Sequence, residues 1–221
     1  MTALSIVQKV ALKVGLTVPS VVFSSTDRTM QEIAALLNEC ATDIADSYDW
    51  QALKSVHTVT GDGTSIGHDL PSDYERMLLT ANVWSSPYLW GMEHVTDTDR
   101  WLEYLVLPYR PVTGAWTIYQ NQFQMLPELP LNDTAKFFYL SNAIVAPAAG
   151  VNKVEFTADD DTFRLSERLL EKTLTWQWKA KKGFDYSEDM ANAEQEKATL
   201  MNKDGGSKPI LSGRLTHGWG W

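Results

Sequence analysis

The stretch TFRLSERLLEKTLTWQWKAKK, residues 162–182, decides the fold of this chain. Phe163, Leu170, Leu174 and Trp178 recur along one row of a helix, and Leu165, Leu169, Trp176 and Ala180 along a second. Two adjacent rows make an apolar stripe wide enough for contact on two sides. Either the helix runs through the middle of a bundle, or this row faces another copy of the chain. The spacing predicts one helix over residues 162–182, stopped by Gly183, with Lys179, Lys181 and Lys182 near the negative end of its dipole. Asp159, Asp160 and Asp161 stand directly before it, where carboxylates favour a helix start. As a calcium loop the triplet lacks the further spaced ligands.

Working outward, a second helix is expected from Asp185 or Ser187 to Lys203, where Asp185 and Glu188 have capping-box spacing and Gly205-Gly206 ends the pattern. At the other end of the chain, Ile6, Val7, Val10, Ala11 and Val14 give helical spacing over Ala3–Val14, stopped by Gly15 and Pro19. Residues 17–26 read as a loop. A stronger helix follows over residues 27–48, capped by Asp27 or by Thr29 with Glu32. Its stripe is Met30, Ile33, Ala34, Leu37, Ala41, Ile44, Ala45 and Tyr48, with Glu32, Glu39, Asp43 and Asp46 off it.

Between these helices the character changes. Strands are expected over residues 55–60, 65–70, 79–83, 115–119, 122–126 and 135–145, with a short helix over 96–107 stopped by Pro108. Gly61-Asp62-Gly63 reads as the turn of a hairpin joining the first two strands. Pro71-Ser72-Asp73 opens a turn or short helix carrying Tyr74, Arg76 and Met77. The chain is thus α+β: a bundle of N- and C-terminal helices with a β-rich insertion and an extended tail. The expected segments are 1–49 and 160–204 for the bundle, 50–159 for the insertion and 205–221 for the tail.

Composition narrows the function classes. Cys40 is the single cysteine, which rules out an internal disulfide and fits a reducing compartment. No run approaches a membrane span, and the N-terminus lacks the basic start and long apolar run of a signal peptide, so a cytoplasmic place of synthesis is expected. The net charge of −9 disfavours tight binding to duplex DNA, which takes several Lys or Arg contacts to phosphate. An acidic surface is compatible with lining a passage through which DNA slides. His57, His68, His94 and His217 form no close ligand pair, and no zinc framework can be written around one cysteine. Gly-x-Ser-x-Gly, Walker and dinucleotide fingerprints are absent. Cys40 reads as a small buried hydrophobe. The acidic helix residues could serve a glycan hydrolase, but a solvated face accounts for them equally. No cofactor, metal site or catalytic residue is expected.

The tail points to a partner. Pro209, Ile210 and Leu211 lie between flexible flanks, and the chain ends Trp219-Gly220-Trp221. Such a segment cannot build its own core, whereas exposed tryptophans suit a partner's pocket. These five residues are the expected docking anchors. Phe163, Leu170, Leu174 and Trp178 are the candidates for a subunit interface if the bundle does not bury them.

Several stretches carry a resemblance in their order and spacing. They are Tyr48-Asp49-Trp50 after paired helices, Leu70-Pro71-Ser72-Asp73-Tyr74-Glu75-Arg76, then Leu165-Ser166-Glu167-Arg168-Leu169-Leu170 with Trp176-Gln177-Trp178-Lys179, and Asp185-Tyr186 before a last acidic helix. Together the pattern resembles the head-to-tail adaptor (head completion, or connector) proteins of tailed bacteriophages. That resemblance implies a non-enzymatic virion protein at the head–tail junction, assembled in the host cytoplasm. It implies a ring of copies, usually dodecameric, beneath the portal protein. The ring extends the DNA channel, lets genomic DNA pass without specific binding, and gives a tail nozzle, tube or stopper protein its platform. It further implies that the C-terminal segment reaches along the portal. The alternatives are another tail or minor capsid component, a glycan binder using Trp84, Tyr88, Trp90 and Trp116, or a peptidoglycan hydrolase.

Overall fold

A computed structural model describes residues 1–78, 81–88, 90–107 and 111–205. Its helices are α1 (Ala3–Val14), α2 (Arg28–Asp46), α3 (Thr98–Val106), α4 (Glu167–Lys182) and α5 (Ser187–Asp204). Its strands are β1 (Lys54–Thr60), β2 (Gly67–Asp69), β3 (Tyr74–Met77), β4 (Trp84–Ser85), β5 (Glu93–His94), β6 (Ala115–Tyr119), β7 (Gln122–Leu126), β8 (Thr134–Ser141), β9 (Val145–Ala146) and β10 (Thr162–Phe163). The α+β architecture read from the sequence is the one observed.

α4 is the centre of the helical half: α1, α2 and α5 each pack against it. Ile6, Val7 and Val10 of α1 and Ile33, Leu37 and Cys40 of α2 share one core with Leu169, Leu170, Leu174 and Trp178 of α4. Phe163 is 5% exposed, Leu170 and Leu174 0% and Trp178 2%. The wide stripe is therefore consumed within one chain, and these four side chains offer no surface to a second copy. α5 lies outermost, with Ala193 its one buried residue, and is tied to α4 by Lys172–Glu196 at 2.8 Å and Lys179–Asp189 at 2.5 Å.

The long helix starts later than its periodicity suggests. Thr162 and Phe163 pair with Ala146 and Val145 as a short antiparallel ladder, and α4 begins after Ser166, whose hydroxyl accepts from the Leu169 N–H at 3.3 Å. The acidic triplet consequently does not cap α4. Asp159 instead accepts from the N–H groups of Val22 (3.0 Å) and Phe23 (3.1 Å), and the Asp161 carboxylate from those of Thr157 and Ala158, both at 2.9 Å. The carbonyls of Asp161 and Asp159 receive the N–H groups of Ala3 (2.7 Å) and Leu4 (3.1 Å), so this turn satisfies the open start of α1. A carboxylate that can reach free amides across the fold gains more than one left at a helix start in water.

The middle of the chain is two stacked sheets. In one, β1 and β3 flank β8, and β4 pairs with the far half of β8; in the other the order is β2-β7-β6-β5. β6 and β7 form a hairpin whose two-residue turn, Gln120-Asn121, has φ of 52° and 58°, the backbone of a tight type I′ connection. The inner faces meet through Val59, Ala135, Phe137 and Tyr139 on one side and Trp116, Phe123 and Met125 on the other. Phe123 and Phe137 have ring centroids 4.9 Å apart. α3 covers the outer face of the second sheet, burying Trp101 and Tyr104 against Ala115 and Leu126.

The expected hairpin at Gly61-Asp62-Gly63 does not form. β1 pairs with β8 and β2 with β7, so this turn carries the chain from one sheet to the other. Gly61 donates to the Asp133 carbonyl at 2.8 Å and Gly63 to that of Leu129 at 3.0 Å. A Cβ on Gly61 would lie 2.2 Å from the Pro130 oxygen, which is why a glycine stands there. Asp62 accepts from the Ser65 hydroxyl (2.5 Å) and from the N–H groups of Ser65 (2.7 Å) and Thr64 (2.9 Å), holding the turn, and these bonds, the hydroxyl's first, depress its carboxyl. The segment after Pro71 is likewise a turn leading into β3 and not a helix.

Candidate functional site

Among the described residues no three His, Cys, Asp or Glu side chains gather as a metal site. Cys40 is fully buried, donates to the Gln177 carboxamide oxygen at 3.1 Å, and burial pushes its thiol up, away from thiolate chemistry. On α2, Glu32 pairs with Lys182 at 2.6 Å and Arg28 at 3.0 Å, and these contacts lower its carboxyl. A hydrolase acid needs the opposite shift. Asp43 accepts from the Gln177 amide at 3.2 Å. His94 stacks on Trp116 at 4.0 Å and burial lowers its pKa; His57 is lowered for the same reason. His217 lies outside the described residues.

The glycan-binding reading needs Trp84, Tyr88, Trp90 and Trp116 to share an exposed platform. Trp84 and Trp90 are exposed, but Trp116 is buried between the sheets and Tyr88 packs beside it. No helix among the described residues is long and apolar enough to cross a membrane.

The stretches that carry the resemblance meet where bundle and sheets join. Trp50 is buried, its indole N–H donating to the Ile44 carbonyl at 2.8 Å, and Tyr48 packs edge-on to it at 5.2 Å. Arg76 reaches Asp49 at 2.5 Å, and Asp73 accepts from the Tyr139 hydroxyl at 2.8 Å. Burial would raise the Asp73 carboxyl, yet its bonds to Ser141 and Tyr139 hold it low. Arg164, just before α4, donates to the carbonyls of Ala143 and Ala52. The Arg76–Asp49 pair and the Arg164 bonds tie the helical half to the sheets at this joint.

The same joint is the root of the tail. Asp204, the last residue of α5, accepts from the Gln51 N–H at 2.8 Å, and Gly205 follows it. Beside it lies a hollow of about 360 Å³ lined by Trp50, Ala52, Leu165, Ser166, Leu200, Lys203 and Asp204. The expected anchors Pro209, Ile210, Leu211, Trp219 and Trp221 lie outside the described residues.

Two other surfaces are open. Between α3 and β6 runs a groove of about 280 Å³, lined by Thr98, Asp99, Trp101, Leu102, Leu105, Thr117 and Tyr119. On the far side of the sandwich, the outer face of the first sheet exposes Val56, Phe138 and Trp84. Neither was singled out by sequence periodicity: the sheet face joins strands distant in the chain, and the groove is the gap left where α3 lies over the strand that follows it.

Open apolar surfaces on both sides of the sandwich suit a protein that works by contact. Comparison with protein families agrees with that reading: the model of the SU10 adaptor protein family matches residues 1–208, almost the whole chain. No curated protein matches it. By a match that takes in every described element, the chain belongs to the SU10 adaptor protein family.

Proposed function

We propose that this chain is a structural head-to-tail adaptor of a tailed-phage virion, whose copies form a ring beneath the portal, extend the DNA channel and carry the platform for tail attachment. The observation that carries the reading is the family match across residues 1–208, which spans both halves and the joint between them. A chain that places its charged groups in surface ion pairs, and its one thiol in the core, is suited to docking and not to turnover.

Several details belong to the same proposal. The ring is dodecameric, its tail-side partner is a nozzle, tube or stopper protein, and it assembles in the host cytoplasm. Residues 207–221 dock on the portal through Pro209, Ile210, Leu211, Trp219 and Trp221. Ordering a backbone costs about 1–2 kcal/mol per residue, while burying each large anchor returns about 1.5–3 kcal/mol. One tail therefore binds weakly, and a ring of tails binds strongly. The net charge of −9 keeps passing DNA from adhering to the channel.

The test is assembly without the chain. Particles lacking it should be DNA-filled heads without tails, and adding the purified chain should restore tail attachment. Heads that acquire tails unaided would move the protein to another tail or minor capsid role.

A further inference from the structure

Resting on that ring, we propose that adjacent copies join through the middle of the chain: the outer face of the β1–β8 sheet of one copy seats against the α3–β6 groove of the next. The two sheets are stacked face to face, so their outer faces point in opposite directions on one molecule. A head-to-tail ring requires this arrangement, two different patches on separate sides of each subunit.

The patches are complementary in shape and charge. On the sheet face, Val56 lies directly opposite Phe138 and Trp84 opposite Lys136. Val56 is 53% exposed, Phe138 48% and Trp84 57%, and an exposed apolar row of this kind on a sheet marks a contact surface. Lys54 and Lys136 share the outward register with Val56 and Phe138, and β1, β4 and β8 contain no Asp or Glu. The groove is a hollow able to take an aromatic ring, walled by Leu102, Leu105 and Tyr119. Its helix carries Asp99 and Glu103, while Arg100 is already committed to Glu93 at 2.8 Å and to the Tyr104 hydroxyl. Basic sheet meets acidic groove. Pairing either patch with itself would set like charges together, which disfavours a two-fold dimer and favours propagation around a ring. The occupant of each patch is a second copy of this chain.

The experiment is native mass measurement of portal rings from the same phage, loaded with less of the full chain than fills them. Contacts between neighbours make loading cooperative, so wild type should give empty and full rings with few between. Phe138→Ser with Lys136→Glu on one face, or Leu102→Ser with Leu105→Ser on the other, should scatter copies statistically and weaken half-loading about tenfold. All four side chains are exposed or line the open groove, and an unchanged melting temperature verifies folding. Mixing the two variants should restore isolated adjacent pairs, since each keeps one intact face, and Asp99→Lys, in the groove lining, should rescue Lys136→Glu. Statistical loading by wild type, or cooperative loading by either variant, overturns this interface while leaving the portal reading intact. Failure of wild type to bind the portal at all removes the ring and the interface with it.

Discussion

Replacing Asp161 tests whether the turn before β10 holds the fold together. Its carboxylate is 1% exposed and accepts from Lys153 at 2.7 Å and from the Thr157 and Ala158 N–H groups at 2.9 Å each. Removing one partner of a buried charged pair costs about 3–5 kcal/mol. The Lys153 side chain remains 31% exposed and can regain water, which places Asp161→Ala at the lower end, about 3 kcal/mol. Asp161→Asn keeps an acceptor for the amides and loses the ion pair, so about half that loss is expected, in line with a charged hydrogen bond. In a chain of this length each kcal/mol moves the melting temperature by about 2–4 °C, giving roughly 6–12 °C for the alanine variant. Urea titration and thermal melts followed by far-UV circular dichroism read both.

The pH dependence has a definite sign. Burial would raise the Asp161 carboxyl, but Lys153 and the two amides hold it below its ordinary value. Its stabilisation is therefore complete above the unfolded value of about 3.9 and is lost as pH falls through the lower folded value. The gap between wild type and Asp161→Ala should be constant from neutral pH down to about 4 and narrow below it. An alanine variant within about 0.5 kcal/mol of wild type, or a gap that widens on acidification, refutes the reasoning.

Further outcomes follow from other sites. Gly61→Ala must move the Pro130 carbonyl, 2.2 Å from the new methyl, and should cost about 1–3 kcal/mol in urea titration; an unchanged midpoint counts against the sheet-to-sheet crossing. Cys40, fully buried, should resist a thiol reagent in the native chain and react fully in denaturant, and rapid labelling of the native chain would contradict its place in the core. Deleting residues 207–221 should leave the melting temperature within about 2 °C, because so short a Gly-rich, polar segment cannot build a core of its own, yet abolish portal docking; docking by the truncated chain sinks the anchor role.

The helices were legible because each obeys a local rule. α1 shows its apolar spacing and its Gly15 stop, α2 its Asp27 cap, and the family resemblance rested on such stretches. β6 and β7 were equally clear, since a hairpin is local. What escaped depends on partners distant in sequence. Nothing near Gly61 reveals that β1 will join β8, some seventy residues on, and not β2. Nothing at Asp159 or Asp161 reveals that they will hold α1 and the loop at Val22, so a helix-start reading was the natural local one. The same limit applied to the helical core, which also takes in Leu140, Ile144, Val145 and Phe156 from the segment read as an insertion. Apolar periodicity in α4 located the buried face correctly but could not say whether the covering surface came from its own chain. The α3–β6 groove and the exposed sheet face had no sequence signal, because a surface patch is defined by what the fold leaves uncovered.

The most direct measurement of the central claim is the mass of the purified chain alone and after mixing with portal rings from the same phage. The account predicts a chain that binds the portal as a closed ring of copies. A chain that leaves the portal's mass unchanged would contradict it.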